Sequence, residues 1–243
     1  MRMLAVAVAG CLAVLAGGSA APGSAAPGSA APGFVAPGFV ALADVDPTIG
    51  QEIKYATADN FTGAPVDGYQ EPVCLLARPA AAALRRAQRE LLRHGYALTV
   101  YDCYRPQCAV DRFVRWAADL HDQSAKAEFY PNVDKARLIP DGYIAERSGH
   151  SRGSTVDVTL VRLLPFRGPV DMGTPFDRFD PLSHTDEPRV TGAARANRQL
   201  LKRALDAQGF VNLAEEWWHF TLRPEAFPDS SFDFPVAVAS VRP

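Results

Sequence analysis

Two short segments, far apart in the chain, carry the residue types of a hydrolytic metal site. The first ends at Asp157 and contains His150, and the second runs from Glu216 to His219. Two imidazoles and one carboxylate are a set of protein ligands that leaves a coordination position open for water, as in catalytic zinc sites. Glu216 adds a second carboxylate that is available for proton transfer. The sequence therefore predicts a zinc-dependent hydrolytic site.

Each of these residues also has an ordinary structural interpretation. A single histidine in a Gly/Ser-rich turn, such as His150, is more often a hydrogen-bonded surface residue. Asp157 alone is typical of a turn or an ion pair, and the segment from Glu216 to His219 alone is typical of an edge strand. The prediction depends on the combination of the two segments, and two histidines with one carboxylate suit zinc better than calcium or magnesium.

Arg105 is a further candidate, since it lies between a predicted strand and the proline that begins a predicted helix. A guanidinium fixed there could stabilise an oxyanion or bind a carboxylate. The alternative is a buried ion pair with Asp102 or another acid. The remaining histidines are weaker candidates: His94 ends a predicted helix, where its charge suits the helix dipole, His121 lies on a polar helix face, and His184 is interpreted as structural.

The elements that must position these residues predict an α+β domain. Apolar residues at helical spacing predict helices over 79–93, 106 to about 123, and 191–208. Residue type and alternation predict strands over 96–101, 155–163 and 217–222, with Asp157 facing away from Val156 and Val158. No Gly-rich phosphate loop is present. This order favours one domain with a mostly antiparallel central sheet flanked by helices, and with the zinc site in a cleft.

The start of the chain is predicted to lie outside that domain. Residues 1–20 combine a basic start, an apolar run too short for a bilayer and a small-residue exit, which is the pattern of a secretory signal peptide. Residues 21–43 contain Ala-Pro-Gly repeats without charge, which predicts a disordered spacer. The domain is predicted over residues 44–243, which is enough chain for one sizeable core.

Charge and cysteine content restrict the partners and the compartment. The formal net charge of −2 provides no basic footprint for nucleic acid, and no second candidate for a membrane span follows the leader. The helix faces indicate no particular oligomeric state. Cys11 leaves with the leader, so that Cys74, Cys103 and Cys108 would reach an oxidising compartment. One disulfide and one free thiol is the simplest pattern. Cys74–Cys103 is favoured, because Cys103 ends a predicted strand and Cys74 precedes a predicted helix, although the odd count leaves the pairing open.

Five blocks of this sequence resemble, in the same order, the D-alanyl-D-alanine dipeptidases, which are the VanX-type zinc peptidases. The resemblance covers about residues 46–224. The block Asp171–Asp177 resembles the dipeptidase branch rather than the related D,D-carboxypeptidases. The five blocks are Tyr55–Phe61, Tyr104–Pro106, Ser148–Asp157, Asp171–Asp177 and Glu216–His219.

The resemblance implies a role for each residue of the predicted metal site. His150, Asp157 and His219 would bind one zinc ion per chain, and Glu216 would be the general base. Arg105 would polarise the scissile carbonyl and its tetrahedral oxyanion.

The resemblance also implies how a dipeptide would be held. Asp177, with Tyr55 beside it, would receive the substrate ammonium. Ser148, Ser151 and Tyr143 would line the pocket and hold the other end of the dipeptide.

These observations predict an exported zinc dipeptidase that hydrolyses D-Ala-D-Ala in cell-wall peptide turnover, secreted or associated with the wall. Intracellular resistance enzymes of this type need neither a leader nor cysteines. An exported enzyme could not lower the cytoplasmic pool of D-Ala-D-Ala, so recycling or scavenging of dipeptide is the more natural role. Two alternatives remain: a D,D-carboxypeptidase acting on longer wall peptides, and an inactive zinc-stabilised module that binds the wall. Glu216 and Arg105 argue against the module, because a structural zinc site needs neither.

Overall fold

A mixed six-stranded sheet is the centre of the structure, a computed structural model that describes residues 35–163, 165 and 167–242. The strands are β1 (Phe39–Ala41), β2 (Gly50–Gln51), β3 (Leu75–Ala77), β4 (Tyr96–Asp102), β5 (Thr155–Arg162), β6 (Gly168–Pro169), β7 (Phe210–Asn212) and β8 (His219–Leu222). The α-helices are α1 (Leu42–Val45), α2 (Arg78–Arg93), α3 (Gln107–Ala118), α4 (Lys126–Phe129) and α5 (Gly192–Asp206).

The order of the central sheet is β2-β4-β5-β8-β7, and β6 pairs with the far end of β5. The pair β2–β4 is parallel, while β4–β5, β5–β6, β5–β8 and β7–β8 are antiparallel. The predicted α+β class is confirmed, and the sheet is mixed rather than purely antiparallel. The parallel strand β2 spans only Gly50–Gln51, which is too short for an alternating pattern to reveal it in the sequence.

The helices α2 and α5 contact each other and pack against the sheet. Helix α2 starts with a proline in its first turn and turns a face of alanine and leucine inward, including the fully buried Ala83, Leu84 and Ala87. Gln88 is also buried there, and its side chain accepts a hydrogen bond of 2.7 Å from the backbone N–H of Leu98 in β4. This bond satisfies a polar group that would otherwise be buried without a partner.

Most predicted elements are present with shifted ends. The helix predicted from residue 106 ends at Ala118, and Leu120 beyond it is half exposed. The strand predicted from Trp217 begins at His219, because the two tryptophans belong to a turn. The short strands β1, β3 and β7 were not predicted, since three residues carry too little pattern.

Residues 35–43 are part of the domain, so the predicted start at residue 44 and the predicted disorder of this stretch are wrong. Strand β1 pairs antiparallel with β3, and Phe39 and Leu42 are buried. Phe39 packs on the rings of Tyr104 and Phe234 and against Gly153, where a Cβ would collide with the Phe39 ring. The Ala-Pro-Gly repeats predicted a spacer and gave no indication that Phe39 is buried. The predicted signal peptide and the spacer up to residue 34 lie outside the described residues.

The predicted Cys74–Cys103 disulfide is present, and it joins the segment before β3 to the segment after β4. Cys108, on α3, is a buried free thiol, as predicted. Among the described residues, no helix has the length and the apolar character required to span a bilayer.

Candidate active site

The register of the central sheet brings the predicted ligands together. Asp157 of β5 is the direct cross-strand partner of His219 in β8, and on its other side it is the partner of Asp102 in β4. Directly opposite residues of an antiparallel pair have Cβ atoms only about 4.5–5.5 Å apart. Asp157 and His219, which are far apart in the chain, thus become neighbours where β4, β5 and β8 lie side by side.

His150 reaches the same point from a 3-10 turn, Gly149–Arg152, that precedes β5. The hydroxyl of Ser148 caps this turn by accepting a hydrogen bond of 3.2 Å from the N–H of His150. The ring atom Nδ1 of His150 lies 2.6 Å from the carbonyl oxygen of Cys103. A carbonyl only accepts, so Nδ1 carries the proton and Nε2 presents its lone pair to the cluster.

The side chains of His150, Asp157 and His219 form a compact metal-binding group whose ligand atoms all lie within 4.8 Å of one another. His150 Nε2 is 3.3 Å from an oxygen of Asp157 and 3.3 Å from His219 Nδ1. Asp157 Oδ1 lies 3.1 Å from His219 Nδ1, yet this buried oxygen accepts no hydrogen bond. An ionic oxygen left without a hydrogen bond in the interior is costly. A cation bound between these three residues would satisfy it, so the residues present fit a metal ion.

The electrostatics of Asp157 agree with a ligand role. Burial by itself raises the pKa of this carboxyl, but His150 and His219 outweigh burial, so that the pKa lies far below its usual value. Asp157 is therefore ionised throughout the neutral range, as a metal-binding carboxylate must be.

Glu216 stands at the edge of the cluster, with Oε2 3.3 Å from His219 Nδ1. It is mostly buried, and this burial raises its pKa to about 7, partly opposed by His219. A carboxyl whose pKa is near neutral can both accept and release a proton under ordinary conditions. The turn before β8 fixes its position, because the side-chain amide of Asn212 donates to the Glu216 carbonyl oxygen at 3.0 Å.

Arg105 forms the buried ion pair with Asp102 that was one interpretation of its sequence position, and it also lines the cavity. Its Nε donates a 2.9 Å hydrogen bond to the fully buried Asp102, and its Nη2 lies 3.5 Å from Asp157. Its guanidinium also stacks over the rings of Tyr55 and Phe113, 5.0 and 5.1 Å from their centroids. The ion pair holds the guanidinium rigidly against the wall of the cavity, where it faces the metal-binding group.

Asp177 lies in the same cavity on a loop between β6 and α5. Tyr55 donates a hydrogen bond of 2.8 Å to its carboxylate, and both residues are buried. Burial, assisted by the negative charge of Asp157, raises the pKa of Asp177 well above its usual value. A buried carboxylate without a cationic partner at bonding distance is suited to receiving the ammonium group of a ligand.

The loop that carries Asp177 is held by residues that the sequence analysis did not single out. The buried guanidinium of Arg198 in α5 donates to the carbonyl oxygens of Met172 and His184, both at 2.7 Å. The indole of Trp217 donates to the Thr174 hydroxyl at 2.9 Å, which links the loop to the segment that carries Glu216. The signal available in the sequence was Arg198 itself, an arginine on the inward face of the helix predicted over 191–208.

The cavity has a volume of about 200 Å³, and Tyr143 and Ser148 line it as predicted. Ser151 is fully buried and is not among the residues that line the cavity, so the prediction that it lines the pocket is wrong. Arg147, one residue before Ser148, lines the cavity and was missed, although its place in the Gly/Ser-rich segment could have indicated it.

The other described histidines lie away from this cavity. His94 follows the last residue of α2, and its ring is 3.2 Å from the Glu90 carboxylate. His121 is exposed beyond the end of α3. The carbonyl of His184 accepts a bond from Arg198, which is a structural role.

Comparison with known proteins identifies the family to which this site belongs. The sequence profile of the peptidase M15 family, described as D-ala-D-ala dipeptidase, matches residues 35–237. The chain belongs to the peptidase M15 family. A D-alanyl-D-alanine dipeptidase of Streptomyces coelicolor is 47% identical over 186 residues, which are 76% of this chain and 92% of the relative.

Two further relatives of the M15 chain carry the same name. The D-alanyl-D-alanine dipeptidase of Enterococcus faecalis is 44% identical over 76% of this chain and 92% of its own length. The one of Escherichia coli is 35% identical over 76% of this chain and 84% of its own length. The protein is therefore a metallopeptidase of the dipeptidase type, and the His150–Asp157–His219 group is its possible metal site.

Proposed function

We propose that this M15 chain is a zinc enzyme that hydrolyses D-Ala-D-Ala to two molecules of free D-alanine. The observation that carries the proposal is one cavity in which a His–Asp–His group, the carboxyl of Glu216 and the buried Asp177–Tyr55 pair stand together. The first two are suited to hydrolysis, and the pair is suited to a substrate with a free ammonium group. The names of the M15 relatives support D-Ala-D-Ala as this substrate.

Zinc is the metal that the donor set favours. Two imidazoles and one carboxylate, with a position left for substrate or water, are typical of catalytic zinc, whereas calcium and magnesium prefer sites built from oxygen. One ion would be held per chain by His150, Asp157 and His219. When bound, zinc supplies a Lewis acid that polarises the scissile carbonyl and acidifies water at the site.

The residues of the chain divide the remaining work. Glu216 takes a proton from the attacking water and delivers it to the nitrogen of the leaving D-alanine. Arg105, held by Asp102, donates to the oxygen of the scissile carbonyl as negative charge develops on it. Asp177 and Tyr55 bind the substrate ammonium and thereby fix the carbonyl next to these groups.

The buried carboxylate of Asp177 would favour dipeptides over longer peptides. A longer wall peptide would bring an amide to Asp177 in place of an ammonium, which would leave the carboxylate buried without a counter-charge. This argument favours a dipeptidase over the D,D-carboxypeptidase alternative. The inactive wall-binding module is disfavoured because such a module would require neither Glu216 nor Arg105 in the cavity.

We further propose that the enzyme works outside the cytoplasm, in turnover of cell-wall peptides. The signal-peptide pattern of residues 1–20 supports export. The Cys74–Cys103 disulfide supports it as well, since disulfides persist mainly in oxidising compartments.

The decisive experiment measures free D-alanine released from D-Ala-D-Ala by the purified chain. The wild type is compared with and without a chelator, and beside Glu216→Gln, which keeps the shape of the side chain. We expect release by the zinc-loaded wild type alone, with zinc content unchanged in the variant. A folded, zinc-loaded wild type that releases nothing from the dipeptide, but cleaves acyl-D-Ala-D-Ala, would identify the carboxypeptidase instead.

A further inference from the structure

One charged residue that lines the cavity has no role in the proposed reaction. Its carboxylates are Asp157, Asp177 and Glu216, and its permanent cations are Arg105 and Arg147. All three carboxylates have roles in the proposed reaction. Arg147 is the one lining cation of the described structure to which the proposed reaction assigns no task.

Arg105 is already engaged. Its Nε is 2.9 Å from Asp102 and its Nη2 is 3.5 Å from Asp157, and only 13% of its side chain is exposed. The guanidinium also lies over the neighbouring rings of Tyr55 and Phe113, whose centroids are 4.8 Å apart. It cannot move to a second charged group of a substrate without leaving Asp102 and Asp157 buried and without their cationic partner.

Arg147 has the opposite character. It is exposed at the mouth of the cavity, and no hydrogen bond or ion pair joins its side chain to another described residue. Its neighbour Ser148 caps the turn that carries His150, so the backbone at Arg147 is fixed to the metal-binding group. A guanidinium with free donors, anchored beside a reaction site, matches a carboxylate in geometry and in charge.

A free dipeptide has two charged ends. Its ammonium fits Asp177 and Tyr55, which lie deep in the cavity and are 5% and 1% exposed. Its carboxylate then needs a cation elsewhere on the lining, on a side that is open to solvent. Arg147 is the available group.

We infer that Arg147 is the residue that binds the C-terminal carboxylate of the substrate and so makes the enzyme select peptides with a free C-terminus. This inference rests on the proposed dipeptidase function. The bound substrate and the transition state both carry this carboxylate. The contact with Arg147 therefore stabilises both equally, so its loss affects KM more than kcat.

The test compares Arg147→Gln with the wild type on D-Ala-D-Ala and on D-alanyl-D-alaninamide, in which a neutral amide replaces the carboxylate. For Arg147→Gln we expect kcat/KM on the dipeptide to fall about tenfold, through KM, as is typical for loss of a hydrogen bond to a charged group. The amide substrate should be cleaved equally by both proteins. Arg147→Lys should recover part of the loss, and added salt should shrink the difference.

Arg89→Gln is the matched control, because Arg89 is an exposed arginine on α2 outside the cavity lining. It makes the same change in net charge and should leave both substrates unaffected. Equal losses of Arg147→Gln on the two substrates, no loss on the dipeptide, or the same loss in the control would each overturn the assignment of Arg147. A wild type that cleaves neither substrate would instead overturn the proposed function, and this inference with it.

Discussion

Replacing Asp177 by asparagine tests the proposed ammonium site directly. Asp177 has a backbone φ of +58°, in the left-handed region. Asparagine adopts this conformation at least as readily as aspartate, so Asp177→Asn removes the charge without straining the loop. The amide oxygen can still accept the hydrogen bond from Tyr55. The variant should therefore fold and keep its metal.

The size of the effect follows from burial. Asp177 is 5% exposed, and removing one partner of a buried ion pair costs roughly 3–5 kcal/mol. Part of that energy is spent in the wild type, because burial raises the pKa of Asp177 and binding must first remove its proton. The lower end, about 3 kcal/mol, is therefore expected, which is a loss of about 150-fold in kcat/KM on D-Ala-D-Ala.

The pH dependence has a defined sign. Only the carboxylate form of Asp177 attracts an ammonium, and its pKa in the empty cavity is raised. The KM of the wild type should therefore fall as pH rises toward that pKa, with uptake of the ammonium accompanied by release of a proton. Asp177→Asn should lack this component of the pH dependence, because its side chain does not titrate.

The assay is release of D-alanine from D-Ala-D-Ala and from N-acetyl-D-Ala-D-Ala, which has no ammonium. The variant should lose activity on the first substrate, whereas the low activity that the wild type is expected to have on the second should not fall. Asp171→Asn is the control, since Asp171 lies exposed in the same loop and accepts a hydrogen bond from Gly173 that asparagine can also accept. Dipeptide activity within about threefold of the wild type, in a folded and metal-loaded Asp177→Asn protein, would refute the assignment.

Three further predictions concern the parts that support the site. Phe39→Ala should lower the free energy of unfolding by about 3–5 kcal/mol, because it removes a buried ring from the aromatic cluster that packs against Gly153. Val211→Ala, at an exposed position, should change this free energy by less than about 0.5 kcal/mol, and urea denaturation measures both. Arg198→Met should leave the carbonyls of the Asp177 loop without donors and raise the KM for D-Ala-D-Ala, while the exposed Arg195→Met on the same helix should not; equal kinetics of the two variants would contradict the loop argument. Reduction of the Cys74–Cys103 disulfide, whose cysteines are separated by 29 positions, should lower the unfolding free energy by about 2–4 kcal/mol; an unchanged denaturation midpoint with thiols titrated as free would contradict this.

The metal-binding group is the part of the site that was most accessible from the sequence. Histidine, aspartate and glutamate are costly to bury, so their recurrence in two Gly/Ser- and Trp-rich segments indicated chemistry before any fold was known. The long helices were also accessible, since an amphipathic helix of sixteen residues, such as α2, carries a strong periodic signal. Both depend on residue type and local spacing alone.

The N-terminal boundary shows where composition misleads. Ala-Pro-Gly repeats predict a spacer, and nothing local distinguishes Phe39 from an exposed phenylalanine. Its burial depends on a cavity formed by Tyr104, Phe234 and the glycine at position 153, which only the folded chain assembles. Short strands such as β1 are similarly defined by their partners rather than by their own residues.

What the sequence by itself determined was the chemistry: which side chains could bind a metal, move a proton and recognise charge. The tertiary structure decided which of them meet. The register of β5 against β8 sets Asp157 opposite His219, the Cys103 carbonyl orients the ring of His150, and Ser148 lines the cavity whereas Ser151 does not. These outcomes depend on strand pairing and on contacts between distant segments, which the types and the spacing of residues along a chain do not specify.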